Sequence, residues 1–256
     1  RDAATFLRCP IHSYPSRDPK GLGVVLRHCG GAAGLRPFIM TDGMFSRDGV
    51  VAPLREYLAV APRSAVFLVD DAHGAGVLGR NGRGALEHCG VDRERIIQTI
   101  TLSKAFGVYG GAILGPKKLR ERIFKHSSMF IGSTPLPLPL AGAALASVKF
   151  VAAHPELRER MSRNAERVRA PLRAHGFDVP NNPGPLFALA ARNAATAARV
   201  AGALAKGGIY PSLSRYPGTP RGGMFRFVIS SEHTTAQLDA LCEVLKKFTP
   251  SDLFPP

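Results

Sequence analysis

The residue types best suited to chemistry in this chain cluster around Lys104. It lies in Thr101-Leu102-Ser103-Lys104-Ala105-Phe106-Gly107, between two apolar runs, Ile96–Ile100 and Gly110–Leu114, that read as buried strands. An ammonium in a short turn among small residues is costly to bury. It would give up its proton below the ordinary lysine value of about 10, the condition for a lysine that forms a Schiff base; the plain alternative is a lysine reaching solvent from a loop. Asp70 ends another apolar run, Ala65–Val69. Its carboxylate there needs a cation or a donor; it can hold a protonated pyridine nitrogen or cap a loop. His73, three residues on, can stack on or hydrogen-bond an aromatic cofactor, or be a loop histidine. Ser46 and Thr101 offer hydroxyls for a ligand or for turn capping. Arg226 shares a strand face with Met224 and Val228 by period-two alternation. A guanidinium between apolar neighbours suits a carboxylate bound bidentately, although an edge-strand arginine could also reach solvent.

Elements that could position these groups follow from the pattern. Strands are expected at Phe38–Thr41, Ala65–Val69, Ile96–Ile100 and Gly110–Leu114, with helices at Leu22–Cys29, from Pro53, and at Lys117–Arg122. Gly30–Gly34 reads as a loop, and a glycine-rich loop runs through Gly76, Gly79, Gly82 and Gly84. This strand–helix alternation implies an α/β fold with a mostly parallel central sheet flanked by helices. Ligands bind outside the carboxyl ends of such strands, where Ser46, Asp70, His73, Thr101 and Lys104 all fall. From Leu140 the pattern turns helical, with Pro155–His175 a long amphipathic stretch. A strand (Leu186–Ala190), a helix (Ala194–Lys206), a strand (Phe225–Ile229) and a helix (Thr235–Phe248) complete a smaller α+β unit, and Ser251–Pro256 reads as a frayed tail. The expected division is residues 1–150, part of a large domain, and 151–256, a small C-terminal domain.

Composition narrows the function classes. With 256 residues, 45% hydrophobic and 21% charged, the chain fits a soluble globular enzyme. The formal charge is +15. Its basic residues are spread along the chain, as in Lys117–Arg122 and Arg158…Arg169, and read as polar helix faces; no nucleic-acid-binding motif accompanies them. The excess would suit a phosphate-bearing substrate. Ser127–Val148 carries no charge, but Pro135, Pro137 and Pro139 interrupt it, so a loop and then a buried helix from Leu140 are expected rather than a membrane span. Cys9, Cys29, Cys89 and Cys242 form no C-x-x-C pair, and the first residues carry no signal-peptide pattern. A cytoplasmic protein is expected, with no zinc site or disulfide framework.

Together the motifs resemble a known family. Val69-Asp70-Asp71-Ala72-His73-Gly74-Ala75-Gly76-Val77-Leu78-Gly79, Gly82-Arg83-Gly84 and Thr101–Gly107 closely resemble the α-oxoamine synthases, fold-type-I enzymes that depend on pyridoxal 5′-phosphate (PLP). Thr41–Gly49 is similar to that family's serine loop, and Phe225–Ser230 with His233-Thr234 to its C-terminal arginine strand. The resemblance runs from about Phe38 to Leu245. It implies a PLP-dependent C-acyltransferase that condenses an amino acid with an acyl-CoA. By the same resemblance Lys104 would bond the cofactor covalently, Asp70 its pyridine nitrogen and His73 its ring oxygen. Ser46 and Thr101 would contact the cofactor, Thr101 through its phosphate, and Arg226 would bind the amino-acid carboxylate. Ser133 and Thr134 match a segment that reaches the neighbouring subunit's phosphate, which implies a homodimer. Family members carry, in a longer N-terminal part, a glycine-containing phosphate loop and a ring that stacks on PLP. Neither has a match before Phe38, so the chain is expected to be N-terminally truncated relative to them. An aminotransferase shares the aspartate and lysine and is the alternative within PLP chemistry; a catalytically impaired fragment or partner subunit is the alternative outside it.

Overall fold

The computed structural model describes residues 9–29, 36–215 and 219–255. The first sheet is built from the β-branched and aromatic runs that favour extended chain. It has strands β1 (Phe38–Asp42), β2 (Val66–Asp70), β3 (Ile96–Thr101) and β4 (Gly111–Leu114), in the order β1-β2-β3-β4. The first three are parallel, with Asp42 opposite Asp70 and Asp70 opposite Thr99; β4 runs antiparallel to β3. Helix α1 (Pro19–Cys29) precedes β1. Helices α2 (Leu54–Val60) and α3 (Ala85–Cys89) lie in the two crossovers that parallel pairing requires. Phe67 and Val69 alternate onto one face of β2 and are buried with Leu22, Ile39, Tyr57, Leu86 and Ile96. Each such burial contributes about 1.5–3 kcal/mol.

After β4 come three helices, α4 (Lys117–His126), α5 (Leu138–Ala153) and α6 (Pro155–Ala174). A second, antiparallel sheet follows, in the order β6 (Ser212–Ser214), β7 (Met224–Val228), β5 (Leu186–Ala191), β8 (Leu253–Phe254). Its central strand, β5, is buried along its whole length, which explains its unbroken apolar sequence. Phe187 stacks on Phe227 at 5.0 Å between centroids. Helices α6, α7 (Ala194–Lys206) and α8 (Thr235–Leu245) close this core through Val168, Leu172, Val200, Leu204, Leu241 and Leu245. Helix α7 starts on Asn193, whose side chain accepts the Thr196 N–H, and α8 on a capping box between Thr234 and Gln237.

Several sequence expectations need correction. The tail is not frayed: Leu253 is buried and β8 pairs with β5, because an apolar Leu-Phe after a turn can complete the sheet. Helix α5 forms where expected but buries none of its residues; Leu138 is 85% exposed. A helix apolar on all sides is normally buried; here only the face of Leu140, Ala144, Ser147 and Val151 is half-buried and the other faces are exposed. Arg169, read as part of a polar helix face, is only 2% exposed and donates to the carbonyls of Asn182 (2.7 Å), Gly184 and Leu186 (3.2 Å). The short α3 and β6 had no signal strong enough to separate them from loop, and the expected Gly30–Gly34 loop lies outside the described residues. Among the described residues no single helix is long and apolar enough to cross a membrane. Only α5 and α6 taken together are, and they are bent by 70° at their junction.

Candidate active site

Parallel pairing delivers the carboxyl ends of β1, β2 and β3 to one edge, and the ladder continues past them. The Gly43 N–H donates to the Asp70 carbonyl at 2.7 Å and the Asp71 N–H to the Thr99 carbonyl at 2.8 Å. Beyond β1 the chain turns through Phe45–Asp48, closed by the Gly49 N–H on the Phe45 carbonyl at 2.9 Å, and leaves Ser46 exposed. Gly49 has φ +76° and its Cα faces the Leu186 carbonyl, where a Cβ would collide; only glycine suits that site. This turn is tied to the second sheet: Asn182 Nδ2 donates to the Asp48 carbonyl at 3.0 Å.

Asp70 is exposed and accepts the Ala72 N–H at 3.1 Å. Half-buried His73 follows. Burial holds its imidazole down to about 4; Lys104 and then Arg226 push the same way, and Asp70 opposes them. The ring is therefore neutral at physiological pH. Thr101 closes β3, with its Oγ1 2.7 Å from Ser103 Oγ and accepting the Ser103 N–H at 3.3 Å. Lys104 sits on the turn that follows, which is held by Leu102 N–H on the Gly110 carbonyl (2.9 Å) and Gly107 N–H on the Lys104 carbonyl (3.0 Å). Lys104 is exposed, which matches the alternative of a lysine reaching solvent from a loop. Ser147 of α5 anchors the turn by donating to the Phe106 carbonyl at 2.6 Å.

Arg226 reaches this edge from the other sheet. Phe225 and Phe227 point into the second core, so alternation turns Arg226 the other way. Its Nε is buried without a hydrogen-bond partner. Asp70, Lys104 and Arg226 thus each lie within electrostatic reach of His73. Ser133 and Thr134 stand apart in the exposed segment before α5, where Ser133 donates to the Met129 carbonyl. Two acids at the edge carried no role in the sequence reading. Asp42, at the end of β1, is pushed upward by burial and then by Asp70, with Lys104 opposing. Asp71 is fully buried, and burial carries its carboxyl up to about 6. An acid followed by glycine at a strand end was the available signal for Asp42.

The donor set fits PLP. An exposed carboxylate suits a protonated ring nitrogen, a lysine the aldehyde, and the Thr101–Ser103 hydroxyl pair a phosphate. The orphaned Arg226 Nε can meet a further carboxylate. A mostly parallel sheet presenting these groups at its carboxyl edge, with an arginine from a second sheet, is the fold-type-I architecture of PLP-dependent enzymes. More specifically, the profile of the aminotransferase class I and II family matches residues 2–245, and the chain belongs to that family; the match extends the resemblance well before Phe38. Relatives include the 8-amino-7-oxononanoate synthases of Anaeromyxobacter dehalogenans (38% identical over 221 residues, 84% of this chain and 56% of the relative) and Symbiobacterium thermophilum (33% over 240 residues, 93% and 61%). Among solved structures, a serine palmitoyltransferase variant from S. paucimobilis with PLP and myriocin bound superposes with a TM-score of 0.83 at 28% identity, over 91% of this chain and 59% of that one. The chain therefore spans well under two thirds of the length of these proteins.

Proposed function

We propose that this chain carries the central site residues of a PLP-dependent C-acyltransferase that condenses an amino acid with an acyl-CoA to an α-amino ketone, releasing CoA and CO₂. The observation that carries the reading is the meeting of Asp70, His73 and Lys104 at one sheet edge with Arg226 from the second sheet. Bound there, PLP supplies an electron sink for charge developing at the amino acid's Cα. Asp70 holds the protonated ring nitrogen by a charge-assisted hydrogen bond. Neutral His73 donates to the ring oxygen. Lys104 would hold the cofactor at its aldehyde, and its amine is the group here that could move a proton at the amino acid's Cα. Thr101 and Ser46 contact the cofactor, Thr101 at its phosphate. Arg226 fixes the substrate carboxylate. Relatives bearing the synthase name support the acyltransferase reading over the aminotransferase that the family's own name includes.

We further read the functional unit as a homodimer in the cytoplasm, with residues 1–150 and 151–256 as parts of its large and small domains. The two separate hydrophobic clusters support that division. Exposed apolar side chains support the dimer: Met129, Phe130, Ile131, Leu138, Leu145 and Phe150 line the segment that would bring Ser133 and Thr134 to the partner's phosphate. The free thiols of Cys29, Cys89 and Cys242 fit a reducing compartment. The test of the activity is substrate choice. Glycine or alanine with an acyl-CoA should turn over and release CoA; turnover only with an amino acid plus a 2-oxo acid would overturn the reading in favour of an aminotransferase.

A further inference from the structure

Asp71 is adjacent to Asp70 but points the other way, into the protein, and is 0% exposed. Its Oδ2 accepts the Ala85 N–H at 2.8 Å and Gln98 Nε2 at 2.7 Å. Its own carbonyl accepts the Gly74 and Ala75 N–H groups at 3.1 and 3.0 Å. Gly43, Gly74 and Gly84 pack directly on the carboxylate, and a Cβ on any of them would overlap it. Those glycines belong to different segments. Gly43 begins the turn that leads to Ser46. Gly74 follows His73. Gly84, at φ +88°, precedes the first residue of α3. One side chain thus touches β3, the start of α3, the serine turn and the histidine turn.

We infer that Asp71 is a positioning residue: its buried carboxylate clamps the histidine turn and the serine turn against β3 and α3, and so sets where His73 stands relative to Lys104 and Arg226. This deepens, and rests on, the proposed cofactor site. The geometry leaves little substitute. Asp71 Oδ1, the oxygen that faces Gly43 and Gly74, has no hydrogen-bond partner, so the side chain holds those two turns by packing. An asparagine keeps the volume but replaces one oxygen by an NH2: turned toward α3 it takes away the acceptor of the Ala85 N–H, and turned toward the glycines it sets a buried donor against Cα atoms.

The readout is the imidazole NMR signal of His73 in the cofactor-free chain at pH 8, where the His73 ring is neutral and Asp71, with its carboxyl at about 6, is ionised; the signal is assigned by its loss in His73→Gln. In Asp71→Asn the His73 signal should move, and its reaction with diethyl pyrocarbonate, which takes the neutral ring, should quicken several-fold as the ring gains water, while the other histidines keep their signals and rates. A folded Asp71→Asn protein in which His73 keeps the parent's signal and rate would overturn the clamp, because a residue that only adds global stability lowers the melting temperature without moving one imidazole. Gln98→Met is the second variant, should Asp71→Asn not fold. It removes one donor from Oδ2, and a smaller change of the same signal and rate is expected; no change overturns the inference. The functional reading fails separately, by a parent that takes up no PLP at Lys104, and that result leaves the His73 measurement untouched.

Discussion

Arg226 shows what one residue contributes when a fold isolates it. Its guanidinium is half-buried in a strand whose other face is core, and its Nε has no protein partner. Such a group is waiting for an anion. If it takes the substrate carboxylate, Arg226→Ala should cost on the order of 2–5 kcal/mol, a loss of roughly thirtyfold to several-thousandfold in kcat/KM for the amino acid. PLP affinity should stay near the parent's, because Asp70 and Lys104 hold the cofactor. Arg226→Lys should recover only part of the loss, since an ammonium lacks the planar fork. Amino-acid titration of the PLP absorbance in an active, longer form of the protein measures this. An unchanged dissociation constant in Arg226→Ala would make Arg226 a strand residue and nothing more. His73 gives a pH prediction. Its folded value, about 4, lies below the unfolded imidazole value, 6.5. Between those limits the unfolded chain binds the extra proton, so His73 costs stability as pH falls from about 6.5 through about 4. Asp71 works oppositely: its raised folded value makes its contribution fall as pH rises through about 6. Comparing parent with His73→Gln in urea cancels Asp71 and every other group. The parent should lose stability relative to the variant as pH drops through that window, and a constant difference would mean His73 is not desolvated.

Among the elements, helix α6 and strand β5 hold the serine turn through a buried polar strut. Arg169 of α6 donates to the carbonyls of Asn182, Gly184 and Leu186, and Asn182 in turn donates to Asp48. Burial lowers the Arg169 guanidinium to about 10, which still leaves it charged. Of its three carbonyl partners, Leu186 also takes Asn182 Nδ2 at 3.3 Å. Arg169→Leu would strip several buried acceptors at once, at about 1–3 kcal/mol each. It should lower stability by about 3 kcal/mol or more, visible in the urea midpoint. Asn182→Ala should cost less but still free the Ser46 turn, seen as faster amide exchange at residues 45–49. If exchange there is unchanged, the strut is confined to the second sheet.

At the scale of the molecule, the exposed apolar surface is the dominant feature. Helix α5 has no buried residue, and Met129 before it is 84% exposed. Monomers rarely show such a continuous patch. The chain should therefore self-associate at micromolar concentration in analytical ultracentrifugation. Leu145→Glu with Phe150→Glu should shift it toward monomer without unfolding it, since neither side chain contributes to either core. A monodisperse parent monomer would count against the dimer.

The sequence by itself determined the alternation of elements, the mostly parallel sheet and which polar residues stand at its carboxyl edge. Lys104, Asp70, His73 and Thr101 were legible because a polar residue just past an apolar, β-branched run has one geometric meaning in a parallel sheet: the carboxyl edge. Arg226 was legible for a similar reason, since alternation fixes a strand's faces without knowledge of the fold. Burial was not legible, because it depends on what packs across from a residue and not on its own pattern. Arg169 and Glu159 share one helix and one polar composition; only the carbonyls of 182–186, leading into β5, make one of them buried. Helix α5 shows the converse, an apolar stretch whose sequence demands cover that the described residues supply in part and to one face only. Asp71 was the deepest omission. Next to Asp70 it reads as a second strand-end acid, and only the tertiary structure, by bringing Gly43, Gly74, Gly84 and Gln98 from four separate segments onto one carboxylate, gave it a place of its own.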